Sequence, residues 1–482
     1  MDNIRVGLDF GTHQTKICIQ STPDEGHGEP NYEFFKFMDL NGDNQYFLPS
    51  TIQINKDDTL SYGYVDPKTE KSDMIKPKLD VVRIESDFDI AETAEKLYNQ
   101  YATKNNHSEE KAIIADMLKI RKKKLADKEE REKEEALQQY QAKMEEYKNN
   151  TNMFRYFKQS TFTDVEWKGS IDCETLCVWY LAYVIFLLES KYGTDFSINM
   201  GVPADEKTYE QKRMKAVSIL ASAYNLVENV YKNDMDSFLK EKVDDLWEKT
   251  EILKYSPDLK NEYIINVFPE AYASLIGLTS RGKLTEGMSL TADIGGGTTD
   301  VSFFTIQEGH PVIYRYWSIP RGLNYIAELS GFDYSEGHFE EKASDEVIDK
   351  FYRKRLEIID TLVNDLTNQL RKETNIPAKN LRDALKDRIL VYNGGGSTYK
   401  FLTVPISYFS DVKLIDSSIW KEENMKDKSS VSNLCLLLTT AYGLSVCDDD
   451  KDVKLKKFTS LFTGLTSNED STYIHEIDKD VC

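Results

Sequence analysis

Residues 289–304 read S-L-T-A-D-I-G-G-G-T-T-D-V-S-F-F, and this stretch narrows the fold further than any other. An apolar run, an acid, three glycines, two threonines, a second acid and another apolar run describe a strand turning sharply into a second strand. The turn surrounds something that requires bare backbone, hydroxyls and two carboxylates. Phosphate with a divalent metal fits best: glycine lets backbone N–H groups approach an anion, threonine hydroxyls add donors, and carboxylates hold the water shell of Mg2+. A Gly-rich β-hairpin without a ligand is the alternative, because such turns are common between strands.

Two further loops have the same character. A first strand at residues 4–9 ends in D-F-G-T-H-Q-T-K, residues 9–16, and is followed by a short strand at 17–20. A buried-type strand at 389–392 runs into N-G-G-G-S-T, residues 393–398, a second glycine triplet with hydroxyls at a helix start. One Gly-rich turn is weak evidence. Three on separate strand ends, in this order, are not.

At these residues the chain resembles the actin, Hsp70 and sugar-kinase ATPase superfamily, and most closely an Hsp70-type nucleotide-binding domain without a substrate-binding domain. Asp9-Phe10-Gly11-Thr12 resembles the first phosphate motif of that superfamily and residues 293–300 the second, while residues 391–398 resemble the adenosine motif. Pro269-Glu270-Ala271-Tyr272-Ala273 and Ala441-Tyr442-Gly443-Leu444 stand where the two connecting helices belong, and Arg321-Gly322-Leu323-Asn324 where the family has a Gly-Gly-acid turn.

The resemblance implies an α/β, two-lobed actin-like ATPase fold: duplicated ribonuclease H-like domains, with mixed sheets flanked by helices. It implies a first lobe over 1–285 with an inserted subdomain at about 31–168, a second lobe over 286–446 with an insertion at about 330–387, and a polar tail over 447–482. It implies ATP or ADP with Mg2+, the metal held through water by Asp9 and Asp293. Gly11, Thr12, His13 and Gln14 would wrap the β- and γ-phosphates. Gly295, Gly296, Gly297 and Thr298 would clamp them from the other side, with Asp300 near the attacking water and Gly322 at the following turn. Gly395, Gly396, Ser397 and Thr398 would pass the α-phosphate and ribose, and Tyr399 would stack on adenine. The catalytic set so implied is Asp9, Asp293, Thr298, Asp300 and Glu270, working by positioning and charge neutralisation.

Three departures stand out. Hsp70 relatives carry a Glu-Pro pair where this chain has Phe268-Pro269, so the carboxylate that orients water and metal is missing there, and Glu270 is the substitute. His13 and Gln14 replace small or aromatic residues, which leaves turnover in question. The first-lobe lysine of the family has only Lys76 and Lys78 as candidates.

Length and composition agree with a two-domain protein: 482 residues with 40% hydrophobic and 11% aromatic content. A formal charge of -21 argues against nucleic acid and anionic lipid as partners. Six scattered cysteines, Cys18, Cys173, Cys177, Cys435, Cys447 and Cys482, do not form a disulfide framework. The first residues show no secretory leader, and the most apolar segment, 176–188, is too short for a bilayer of roughly 30 Å. These readings suggest a cytoplasmic protein without a membrane span.

Between the motifs the pattern predicts a helix over 171–192, a strand at 196–202, an amphipathic helix at 212–224, a strand at 225–230, a charged surface insertion at 233–254 and a strand at 263–267. Further on it predicts a strand at 312–319, a helical region over 325–373 and a final helix at 434–443. Residues 121–148 lack Gly and Pro and carry i, i+4 ion pairs. They form the core of a charged helical arm, 115–150, whose seam of Leu137, Tyr140, Met144 and Tyr147 packs on the same chain or grips a protein partner.

The expected function is a Mg-dependent slow ATPase whose nucleotide-driven lobe closure is read by a protein partner. The tail after 446 is too short for the peptide-holding domains of chaperone relatives. The alternatives are an actin-like protein that self-assembles into filaments, a small-molecule phosphotransferase, and a non-hydrolysing ATP sensor.

Overall fold

The computed structural model describes residues 3–23, 28–65, 73–75, 152–254, 263–324, 363–448 and 453, apart from short gaps at 168, 280–283, 285–286, 308–309, 374–376, 387, 400–401, 404, 406–408, 410 and 421–423. The chain divides into two units, Asp80–Asn150 and the remainder. The first lies outside the described residues, and with it the charged arm at 115–150 and Lys76 and Lys78 nearby. The 325–362 part of the expected helical region and most of the tail also lie outside them.

The described chain is mixed α/β. Its two main sheets share one topology. In the first, β1 (Asn3–Phe10), β2 (Gln14–Thr22) and β3 (Asn31–Phe34) form an antiparallel meander, and β4 (Phe196–Val202) and β5 (Ile265–Pro269) add parallel to β1 on its other side. In the second, β6 (Gly287–Ile294), β7 (Thr299–Gln307) and β8 (His310–Ile319) form the meander, and β9 (Ile389–Asn393) and β10 (Asp411–Leu414) add parallel to β6. The order in both is third, second, first, fourth, fifth. β3 falls within the stretch expected to be inserted at 31–168 and is the third strand of the first sheet.

A four-stranded sheet stands apart, with Thr51–Ile54 at its centre against Asn152–Arg155. The strand Asn152–Arg155 leads directly into α1 (Phe157–Phe162).

α2 (Cys173–Tyr192) is apolar on every side because every side is covered. Asp172 caps it by accepting from the Thr175 N–H at 2.9 Å, and Gly193, at φ 77°, ends it. It runs 20 residues, close to the helix expected over 171–192. By length and composition α2 and the stretch Lys428–Val446 are each able to cross a membrane, yet 67% and 56% of their apolar windows are buried within the protein.

Two predicted elements are corrected. Residues 225–230 are not a strand: α3 (Tyr209–Asn225) continues as one π-helical turn over Leu226–Val230, closed by the Tyr231 N–H on the Leu226 carbonyl at 2.9 Å. The two valines make the L-V-E-N-V stretch read as a strand, but as a continuation of the helix it buries Leu226 and Val227 completely. Nor is 233–254 a mere surface insertion. It forms Met235–Leu239 and α4 (Val243–Lys254), which bury Phe238, Val243 and Leu246, and Trp179 of α2 donates to Thr250 Oγ1 at 2.8 Å.

Two helices tie the sheets together. α5 (Glu270–Thr279) follows the last strand of the first sheet but packs on β7 and β8 of the second, and α6 (Cys435–Val446) follows the second sheet but packs on β1 and β2 of the first. They cross at Gly277 and Gly443, where the lack of side chains brings backbone against backbone.

Candidate functional site

The shared topology places the glycine loops. The β1–β2 turn and the β6–β7 turn occupy the same position in their sheets, and their registers match residue for residue. Asp9 pairs across its hairpin with Lys16, and Asp293 pairs across its own with Asp300. The third loop, 394–398, leaves the end of β9, the strand parallel to β6, as a 3-10 turn over Gly395–Thr398 where the sequence predicts a helix start. Gly394 enters it at φ 82°, and an added Cβ would stand 2.1 Å from Asp293 Oδ1, so only glycine fits there.

These loops line one cleft of about 320 Å3, within the usual scale of a small-ligand site at roughly 300–1,000 Å3. Of the residues expected at the site, Asp9, Gly11, Thr12, His13, Gln14, Glu270, Asp293, Gly295, Gly296, Thr298, Asp300, Gly395, Gly396, Thr398 and Tyr399 all line it. Three lie behind the wall instead. The carbonyl of Gly297 accepts from Gln159 Nε2 at 3.1 Å, Gly322 backs onto the carbonyls of Gly295 and Gly296, and the Ser397 hydroxyl donates to the Asn393 carbonyl.

The acids are held differently from one another. Lys16 Nζ donates to Asp9 Oδ2 at 2.7 Å. Thr440 Oγ1 and Asn393 Nδ2 donate to Asp293 Oδ2 at 2.9 and 3.1 Å. Thr298 Oγ1 donates to Asp300 Oδ2 at 2.9 Å. Glu270 begins α5 and forms a buried ion pair with Lys158 of α1. Phe268, by contrast, is fully buried in a small apolar cluster with Ala273 and Leu444.

Crowding of like charges away from water sets the protonation of the cleft. Burial, then the neighbouring Asp9, raises Asp293 to about 7. Burial raises Glu270 and, with Glu270 beside it, lifts Asp300 well above the carboxylate range. Burial opposes the charge on Lys158, but Glu270 and Asp9 outweigh it and raise the ammonium. His13 is lowered to about 4 by burial despite its bond to Asn324, with Arg155 and Lys16 pushing the same way.

Sequence reasoning missed Lys158, Lys16, Asn324 and Thr440, all of which line the cleft. Lys16 carried a usable signal: aligning residues 9–16 with 293–300 puts it opposite the position of Asp300. Lys158 carried none, because only the tertiary fold brings α1 to Glu270, 112 residues away.

Asp9, Asp293, Asp300 and Glu270 share the cleft with Lys16 and Lys158, so carboxyls outnumber ammonium groups there. That donor set fits a hydrated divalent cation near Asp9 and Asp293. No protein-family model matches the chain, and no curated protein matches it.

Proposed function

We propose that the chain is an ATP-binding protein of the two-lobed, actin-like architecture, nearest an Hsp70-type nucleotide-binding domain, and a slow Mg-dependent ATPase. The observation that carries this reading is the pair of sheets of identical strand order, each presenting its first hairpin turn to one cleft, with a third glycine loop closing it. A repeated strand order is what a duplicated domain produces, and ligands bind α/β sheets outside strand ends.

In this reading the turns at Gly11–His13 and Gly295–Thr298 offer backbone N–H groups to the phosphates from two sides, and Gly395 and Gly396 pass beneath the α-phosphate. Thr398 and Tyr399 stand at the base end. Bound Mg2+ would neutralise charge on the β- and γ-oxygens, with Asp9 and Asp293 holding its water shell. Lys16 and Lys158 add positive charge on the first-sheet side. Asp300 and Glu270 are the carboxyls that would orient a water in this reading, and whichever of the two is ionised would take its proton. Glu270 reaching the cleft supports hydrolysis over mere holding, since it supplies the carboxylate that Phe268 does not. α5 and α6, crossing between the sheets, are the elements through which nucleotide would shift one lobe against the other for a protein partner to read.

The test is steady-state ATP hydrolysis with sedimentation run in parallel, with and without Mg2+, on the wild type and Asp293→Ala. Slow Mg-dependent turnover in the wild type and loss of Mg-ATP binding in a folded variant support the reading. Unchanged affinity in the variant sinks it, and ATP-dependent pelleting would move the protein to the filament-forming class.

A further inference from the structure

Asn324 sits at the mouth of the second glycine loop by construction. Gly322 approaches so closely that a Cβ there would lie 2.6 Å from the carbonyls of both Gly295 and Gly296. The Leu323 N–H then donates to the Gly295 carbonyl at 3.0 Å and the Asn324 N–H to the Gly296 carbonyl at 2.9 Å. The Asn324 side chain is thereby fixed to the loop that the functional reading assigns to phosphate, and it lines the cleft at 2% exposure.

Its two amide atoms are in unequal states. Oδ1 faces His13 Nε2 at 2.5 Å, so with the amide oriented this way Nε2 carries the proton and donates. Nδ2 is buried and has no partner among the described residues. A buried amide donor without an acceptor is costly and uncommon in folded proteins. Where it borders a cleft, it marks a place where a ligand oxygen belongs.

His13 is itself held from behind. Its ring lies 4.7 Å from that of Tyr156, a buried residue at φ 62°, in the left-handed region that a bulky side chain rarely adopts. That strained residue also starts α1, which brings Lys158 to the same cleft. His13 crosses from the first sheet's turn to the second's, rests against Gly296, and claims the oxygen end of the Asn324 amide.

We propose that Asn324, oriented by His13, is the residue by which the cleft distinguishes a nucleoside triphosphate from a diphosphate, its Nδ2 donating to an oxygen of the third phosphate. The assignment rests on the nucleotide-binding reading above. In that reading the β-phosphate would lie between the two turns in either nucleotide, and the added phosphate is the one that would reach the donor beside Gly296. His13 acts as a positioning residue: without it the amide is free to rotate and present its oxygen to the anion.

The experiment is equilibrium binding of Mg-ADP and of the β,γ-imido analogue of Mg-ATP to the full-length protein, by calorimetry. Asn324→Ala should weaken the triphosphate analogue roughly 10- to 100-fold, the scale of one hydrogen bond to a charged group, and move ADP by less than about twofold. Asn324→Asp keeps the shape and the acceptor for His13 but replaces the donor by an anion, so it serves should Asn324→Ala fail to fold, and its loss should be at least as large. His13→Ala should show the same selectivity at smaller amplitude. Equal weakening of both nucleotides, or an unchanged triphosphate affinity in a folded Asn324 variant, overturns the inference alone. Failure of the wild type to bind either nucleotide overturns the functional reading with it.

Discussion

Lys158 and Glu270 come from segments 112 residues apart and meet in an ion pair whose side chains are only 3% and 12% exposed. It joins α1, beside the first sheet, to the start of α5, the helix that leaves that sheet for the second. Such a pair is weak evidence for net stability, because desolvation offsets much of the attraction, but breaking one half is expensive.

Glu270→Ala should therefore destabilise the protein by about 3 kcal/mol, the low end of the ~3–5 kcal/mol usual for a severed buried pair, since Asp9 and Asp300 still favour the lysine charge. Lys158→Met with Glu270→Met should recover most of that loss while leaving nucleotide turnover abolished. Urea denaturation read beside an ATPase assay checks both. A double variant no more stable than Glu270→Ala would show that the cost is packing rather than charge.

Asp293 gives the cleft a pH signature. Its folded-state pKa of about 7 lies above the ordinary aspartate value of 3.8, so between these the folded state holds the proton more tightly than the unfolded one. Its contribution to stability is full below about 4 and is lost as pH rises towards 7. His13, lowered to about 4, acts in the opposite sense between about 4 and 6.5, and the raised Glu270 and Asp300 act in the same sense as Asp293, so the wild-type profile alone mixes them all. The difference between wild type and Asp293→Asn isolates the acid: wild type should lose stability relative to the variant from pH 4 to 7 and then level off. A pH-independent difference would contradict the assigned protonation.

How much of this was legible in the sequence depended on distance along the chain. The β6–β7 hairpin was readable because Asp293 and Asp300 bracket a turn and their alternation puts both on one face, as the register shows. The same logic applied to residues 9–16 exposes Lys16, which pairs across its hairpin with Asp9 as Asp300 does with Asp293. Lys158 and Thr440 were invisible, for each reaches the cleft only through packing between remote elements. The misread strand at 225–230 failed for a different reason: local β-propensity lost to the burial that Leu226 and Val227 gain by continuing a helix.

The α5–α6 crossing leaves no room for a methyl group. A Cβ on Gly443 would lie 1.8 Å from the Ala273 carbonyl oxygen, whereas one on Gly277 would meet its nearest neighbour at 3.0 Å. Gly443→Ala should cost about 1–3 kcal/mol by overpacking, and Gly277→Ala distinctly less. Thermal unfolding of the two variants gives the ranking. Because these helices link the sheets, Gly443→Ala should also weaken nucleotide binding more than its stability loss alone accounts for.

Thr440, also on α6, tunes the acid across the cleft. Its hydroxyl donates to Asp293 Oδ2 at 2.9 Å and is the interaction that most opposes the rise in that residue's pKa. Thr440→Val keeps the volume and removes the donor, while Asn393 Nδ2 at 3.1 Å still holds the carboxylate in place. The proton affinity of Asp293 should then climb by about one pH unit, equivalent to about 1.4 kcal/mol, at the lower edge of the ~1.5–3 kcal/mol of a hydrogen bond to a charged group. Magnesium needs the ionised form, so Mg-ATP binding should titrate about one unit more alkaline in the variant. At pH 7 its affinity should fall about fivefold, as the ionised fraction drops from about one half to about one tenth, and return close to the wild-type value by about pH 9. Binding isotherms from pH 6 to 9 read this directly, and a midpoint that does not move would remove Asp293 as the titrating group.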